Sequence, residues 1–181
     1  MHLLLRTIFH LIQAMLRPAM SLWGHSSVRM RAWPTDIDIA GHINNGMYFS
    51  LMDLGRFDLM VRSGMWKRIR ARGWRPVMSA ETISFRRSID LWRRYSMESR
   101  VLGFDAKAMY FEQCMVVKGQ IYVRAVMAMR LVDRKGRPVP NADLFELIGA
   151  PPADLQLPEW VDSWRADTAL PGARKPAPFT W

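Results

Sequence analysis

The sequence predicts an α+β domain, and three observations carry that expectation. A short alternating stretch comes first, a run with helical spacing follows, and four consecutive stretches of period two complete the order. Such an antiparallel meander has an apolar face that needs a helix to cover it. The 181 residues suffice for one domain with a substantial core. Half are hydrophobic and 23% are charged, which is a globular composition.

Residues 1–17 (MHLLLRTIFHLIQAMLR) have the spacing of an amphipathic helix that Pro18 ends. Leu4, Leu5, Ile8, Phe9, Leu11, Ile12, Met15 and Leu16 share one half of the wheel. Arg6, Thr7, His10, Gln13 and Arg17 share the other, with only Leu3 misplaced. The run is too short and interrupted for a membrane span, which needs about 20 apolar residues. Arg6 and His10 interrupt the apolar region, and no clear A-x-A site follows, so it makes a poor signal peptide. Arginines on a polar face suit a membrane surface. A helix packed on its own domain or on a partner subunit fits the same pattern, and residues 1–22 are read as this appendage.

In residues 26–33, Val28, Met30 and Ala32 alternate as a strand that Pro34 closes. Residues 44–63 are helical, with Met47, Leu51, Leu54 and Val61 in one stripe and Tyr48, Met52 and Leu59 beside it. Asn44 or Asn45 supplies the cap, and Gly55 permits close approach to a packed surface. A basic connector, Trp66 to Arg75, leads to strands over 77–89, 94–104, 107–118 and 120–132. Phe104-Asp105-Ala106 and Lys118-Gly119 mark turns, and Arg134-Lys135-Gly136 ends the sheet, bounding a domain at 26–137. Residues 138–181 form a Pro-rich extension with a short helix-like stretch, Asn141 to Ile148. It either wraps the surface with Trp160 and Trp164 as anchors or trails as a partly disordered tail.

The net charge is +10. Residues 56–100 hold 12 Lys or Arg against 4 Asp or Glu, so most of the excess lies there. No nucleic-acid signature accompanies it, which favours a phosphate-bearing ligand or an anionic membrane over RNA or DNA. The single cysteine, Cys114, excludes a disulfide framework and reads as a small core residue. The four histidines show no metal-ligand spacing, so no metal is expected.

Residues 35–45 (TDIDIAGHINN) place two carboxylates, an imidazole and two carboxamides before a helix N-terminus. The N–H groups there can hold an oxyanion, and a nearby carboxylate can act as nucleophile or general base. Asp and Asn before a helix are also ordinary caps, and the pattern alone leaves that reading open.

The run D-x-D-x-x-G-H-x-N-N-x-x-Y, Asp36 to Tyr48, resembles the signature of hotdog-fold thioesterases of the 4-hydroxybenzoyl-CoA thioesterase type. Ile83 to Ser88 (ISFRRS), Leu102 to Asp105 (LGFD) and Tyr110 to Gln113 (YFEQ) are similar to the thioesterase-like branch of that superfamily, which includes eukaryotic membrane-anchored members. The resemblance covers roughly residues 26–135. It implies a hotdog fold: a long central helix wrapped by a curved antiparallel sheet, with protomers paired as a homodimer or dimer of dimers and active sites at their interface. It puts the catalytic carboxylate, nucleophile or base, on Asp38. The oxyanion donor falls on the backbone N–H of Asn45 or Gly46, and an assisting role falls on His42. Asn44, Tyr48, Arg86 and Arg87 are candidates for substrate binding, the two arginines because their fork of donors suits the phosphates of coenzyme A; the other readings are a loop or dimer contact for Asn44, core for Tyr48 and a solvated or lipid-facing sheet edge for the arginines. Asp36 reads as a capping carboxylate and Asp58 as partly buried and not catalytic.

The implied activity is hydrolysis of an acyl-CoA, or of an acyl carrier protein thioester, to a carboxylate and a free thiol. No cofactor is expected, since coenzyme A belongs to the substrate. The expected location is cytoplasmic, with peripheral contact of residues 1–17 at the inner face of a membrane. The alternative is a non-catalytic hotdog module that binds acyl thioesters or lipid at a membrane surface. Asn45 stands where several bacterial relatives have His or an aromatic residue: if their side chain matters, that role is lost here, and if only the N–H matters, nothing is lost.

Overall fold

A computed structural model describes residues 3–172 and 175–179. Its centre is the helix α2, Tyr48–Arg62. The sequence stripe understates its burial, because Gly55, Arg56, Asp58 and Met60 are buried along with Leu51, Met52, Leu54 and Leu59. A helix enclosed on nearly all sides has little amphipathic contrast to read.

Five antiparallel strands wrap it: β1 (His25–Arg31), β2 (Arg75–Phe85), β3 (Arg94–Phe104), β4 (Met109–Val117) and β5 (Gln120–Val132). Their order across the sheet is β1-β3-β4-β5-β2. β1 pairs with β3 from His25↔Arg100 to Arg31↔Arg94, and β2 pairs with β5 from Arg75↔Val132 to Phe85↔Val123. Register shifts at Met78/Ala80, Val101/Gly103 and Met115/Val116 are the irregularities that let a sheet bend around a helix. Lys118 and Gly119, at φ 48° and 74°, close the β4–β5 hairpin with the left-handed pair a two-residue turn needs. β2 ends at Phe85, so Arg86 and Arg87 lie beyond the strand, although the sequence pattern extends it to residue 89.

α2 meets the sheet most closely at Gly55. A Cβ there would stand 2.3 Å from Met97 Cγ, 3.0 Å from Ser99 Oγ and 3.1 Å from Gln113 Nε2. The expected connector after α2 contains a helix, α3 (Met65–Ala71), whose Met65 and Ile69 are buried. Cys114 is half-buried on the sheet's outer face beside Glu98, Arg100 and Glu112, and it is not in the core. Alternation decides this: Gln113 and Met115 on either side take the inward positions.

α1 (Leu4–Leu16) lies on the domain by its polar side. His10 and Ala14 are buried, Arg6 pairs with buried Asp36 at 2.7 Å, and Arg17 pairs with buried Asp58 at 2.9 Å. The same arginines donate to the carbonyls of Arg31 and Ser27 on the open edge of β1. Of the readings the sequence left open, docking on its own domain is the one observed. Among the described residues no helix is long and apolar enough to cross a membrane.

After β5, α4 (Asn141–Ile148) adds Leu144, Leu147 and Ile148 to a core cluster with Met65 and Phe111. α5 (Glu159–Asp167) was not expected from the Pro-rich sequence. It buries Val161 against Tyr110, Val126 and Ala128, with Trp164 beside them, whereas Trp160 stays largely exposed.

Candidate active site

The loop between β1 and α2 is a miniature hairpin. Ile37 bridges Ile43 in antiparallel register, the Asp38 N–H donates to the His42 carbonyl at 3.0 Å, and the Gly41 N–H donates to the Asp38 carbonyl at 3.1 Å. Gly41 sits at φ +81°, a conformation that favours glycine. The hairpin is fastened to the segment before β3: Ile43 N–H donates to Ile89 O and Leu91 N–H to Gly41 O.

This fold of the loop sets Asp38 opposite His42. One carboxylate oxygen, Oδ1, accepts the Ala40 N–H at 2.9 Å and lies 3.7 Å from His42 Nδ1. Oδ2 has no hydrogen bond among the described residues. The side chains of Asp38 and His42 are 25% and 34% exposed, so both are held in place yet open to a ligand.

Asp36, two residues earlier, behaves oppositely. It is fully buried, accepts the Trp33 N–H at 2.9 Å and pairs with Arg6. It is a capping carboxylate, as its spacing suggested. Its carbonyl accepts the Asn44 N–H at 2.9 Å, which joins the buried anchor to the start of the helix.

A 3₁₀ turn, Asn45–Met47, precedes α2, and Asn44 is its cap. Asn44 Oδ1 accepts the Gly46 N–H at 2.8 Å. Gly46 is thus engaged and is not a free donor, because the carboxamide two residues back satisfies it. The Asn45 N–H has no partner among the described residues.

Tyr48 is 2% exposed and packs edge-on to Phe85 at 4.9 Å. Burial raises its phenol above the ordinary value, opposed by a backbone hydrogen bond from Ile89. In the single chain its ring is core and presents no surface to a ligand. Arg86 Nη1 donates to Gln120 Oε1 at 3.2 Å and to Ile121 O at 3.3 Å. Arg87 lies 5.9 Å over the Tyr122 ring. Both fasten the end of β2 to the β4–β5 hairpin, and no hydrogen bond or ion pair joins either to Asp38 or His42 among the described residues.

Asp58, expected to be partly buried, is 4% exposed and is held by Arg17, Arg62 and Ser26 Oγ at 2.9, 3.1 and 2.5 Å. The sequence reading missed a second polar network. Buried Arg56 pairs with Asp53 and donates to Gln113 Oε1 at 2.9 Å, while Gln113 Nε2 donates to Met52 O and Ser99 Oγ. Burial raises the Asp53 carboxyl, with Arg56 opposing, and burial likewise raises Glu81 on β2. The Asp53/Arg56 spacing of three on one helix was the available signal. No group of three or more His, Cys, Asp or Glu that could hold a metal occurs among the described residues.

The model of the Thioesterase-like superfamily matches residues 32–166. Protein THEM6 of Xenopus laevis is 37% identical over 97 residues, covering 54% of this chain and 47% of that protein. Protein THEM6 of Drosophila melanogaster is 29% identical over 136 residues, covering 71% and 67%. The chain spans from about half to two thirds of the length of these curated relatives. Among solved structures, the probable thioesterase YbaW of Escherichia coli superposes with TM-score 0.64 at 18% identity, over 68% of this chain and 96% of that one. The DHNA-CoA thioesterase of Staphylococcus aureus superposes with TM-score 0.61 at 13% identity, over 79% and 90%. Likeness at such identity is likeness of fold, and the fold is the hotdog: one long helix in a curved antiparallel sheet.

Proposed function

The chain belongs to the Thioesterase-like superfamily, and on that premise we propose that it hydrolyses acyl-coenzyme A thioesters, with Asp38 as the catalytic carboxylate. One observation carries the assignment: Asp38 is anchored through a single oxygen by Ala40 N–H, its second oxygen makes no hydrogen bond among the described residues, and its side chain is a quarter exposed. In one course, Oδ2 attacks the thioester carbon, the C–S bond breaks, coenzyme A leaves as thiolate, and water hydrolyses the mixed anhydride. In the other, Oδ2 takes a proton from a water that attacks the same carbon. Both yield a carboxylate and a free thiol, and the hydrolysis assignment covers either.

Asn45 is the oxyanion donor in this reading, since its N–H is free at the start of the turn into α2 while the Gly46 N–H is engaged. A backbone donor makes the Asn45 side chain dispensable. His42 steadies the Asp38 side chain from 3.7 Å and completes the hairpin through its carbonyl. Asn44 acts by shaping the turn. Arg86 and Arg87 supply positive charge for coenzyme A phosphates at the exit of β2, whose Phe85 touches Tyr48. No metal or cofactor enters the scheme, because a carboxylate and a backbone donor suffice for it.

A homodimer, or a dimer of dimers, belongs to the same reading. One feature supports it. At the β1 edge of the sheet Arg6 and Arg17 of α1 take the carbonyls of Arg31 and Ser27, whereas β2 forms the other edge with Val77 and Phe85 exposed on it. A cytoplasmic protein with residues 1–17 against the inner face of a membrane is the location this reading favours.

The test is free thiol released from a panel of acyl-CoA chain lengths and of acyl carrier protein thioesters. Turnover of at least one acyl-CoA is expected. Binding across the panel without turnover overturns the proposal in favour of a binding module.

A further inference from the structure

The docking of α1 leaves its apolar half facing outward. Leu5 and Leu16 are 83% and 82% exposed, and Phe9, Ile12 and Met15 lie exposed between them. Folding the chain does not cover this surface, although its polar residues Arg6, His10 and Arg17 are turned in. An apolar stripe of this length on a helix turned the wrong way out for a lone soluble domain marks an interaction face.

The face continues beyond the helix. A groove of about 1080 Å³ between α1 and β1 runs from Leu5 and Phe9 to Trp33. Trp33 meets Trp92 edge-on at 5.7 Å, and both are about half exposed. Leu91, beside Trp92, donates its N–H to Gly41 of the site hairpin, and Ile39 at the hairpin tip is fully exposed. Arg29, Arg31 and Arg94 line the groove, and no carboxylate pairs with any of them among the described residues.

We infer that this face docks on an anionic lipid bilayer, with the apolar side of α1 and the Trp33/Trp92 pair entering the headgroup layer and the groove arginines meeting lipid phosphates. Three physical points select the bilayer over a second copy of the chain. Exposed tryptophans with an apolar body and a polar N–H suit the interface of a membrane. Cations at the margin of an apolar helix face gain from an anionic surface. A two-fold contact through the same face would instead bring the unpaired arginines of two copies together. Docked in this way, the protein holds Ile39 and the Asp38 hairpin at the bilayer edge, beside any acyl chain partitioned there. That last consequence rests on the thioesterase reading; the docking does not.

Co-sedimentation of the full chain with phosphatidylcholine vesicles, with and without phosphatidylglycerol, tests the inference. The wild type sediments with the anionic vesicles, and added salt weakens the binding. Leu5→Asp with Phe9→Asp lowers the partition at least about tenfold and leaves hydrolysis of a short-chain, water-soluble acyl-CoA unchanged. If that pair unfolds the helix, Met15→Asp with Leu16→Asp reads the same loss at the other end. Deleting residues 1–22 is a poorer test, since it strips Arg6 and Arg17 from buried Asp36 and Asp58. Equal partition of the variants, failure of the wild type to bind anionic vesicles, or a change of oligomeric state with vesicle binding intact each overturns the inference.

Discussion

At the scale of single residues, the site rests on side chains that do no chemistry. Asn44 caps the 3₁₀ turn by taking the Gly46 N–H, and that turn aims the Asn45 N–H. Asn44→Ala should cost about 1 kcal/mol of stability, the usual loss of a cap, and denaturant unfolding reads it. His10 is buried on the inner side of α1. Burial lowers it from 6.5 to about 4, Arg6 lowers it further, and Asp58 and Gln13 oppose. Because the unfolded chain takes that proton first, the His10 contribution is complete above pH 6.5 and is lost as pH falls toward 4. His10→Leu should flatten that part of the stability profile, with thermal melts of both proteins across the range as the measurement. A profile of unchanged slope would show that α1 does not enclose His10.

At the scale of elements, α2 and the sheet approach each other so closely that glycine is required at position 55. Alanine favours a helix interior by about 1 kcal/mol. Here its methyl would meet Met97 at 2.3 Å, and Met97 is itself fully buried. Overpacking of this kind costs about 1–3 kcal/mol, so Gly55→Ala should lower stability despite the better propensity, by equilibrium unfolding. This close approach was legible in the sequence, as were β3, β5, the Lys118-Gly119 turn and α4, because their periodicity or turn chemistry is local. α3 and α5 were not. One is hidden in a basic run, where only Met65 and Ile69 face inward, and the other lies between prolines. The orientation of α1 was illegible for a stronger reason. Its polar face turns inward only because Asp36 and Asp58, distant in sequence, wait there as buried acceptors for Arg6 and Arg17. No window of α1 alone carries that information. In the loop, the juxtaposition of Asp38 and His42 was readable because a short hairpin brings them together. Engagement of the Gly46 N–H and burial of Tyr48 depend on packing that spacing does not encode.

At the scale of the whole molecule, one hotdog domain carries two appendages with different work. The C-terminal α4 and α5 extend the core, and the N-terminal α1 is pinned to the domain by Arg6 and Arg17 while exposing an apolar face. The site hairpin lies between that face and the helix it introduces, so the proposed membrane contact and the proposed chemistry meet in one short loop. The basic residues of 56–100 are spread over α2, α3, the two ends of β2 and β3. The central claim, that the Asp38 carboxylate drives thioester cleavage, is tested most directly by the initial rate of thiol release from an acyl-CoA by wild type and Asp38→Asn, with thermal melts matched. The account predicts that the wild type turns over and that Asp38→Asn folds normally with activity reduced at least about a hundredfold, the scale on which a general base or nucleophile acts. A correctly folded Asp38→Asn protein with wild-type turnover would contradict it.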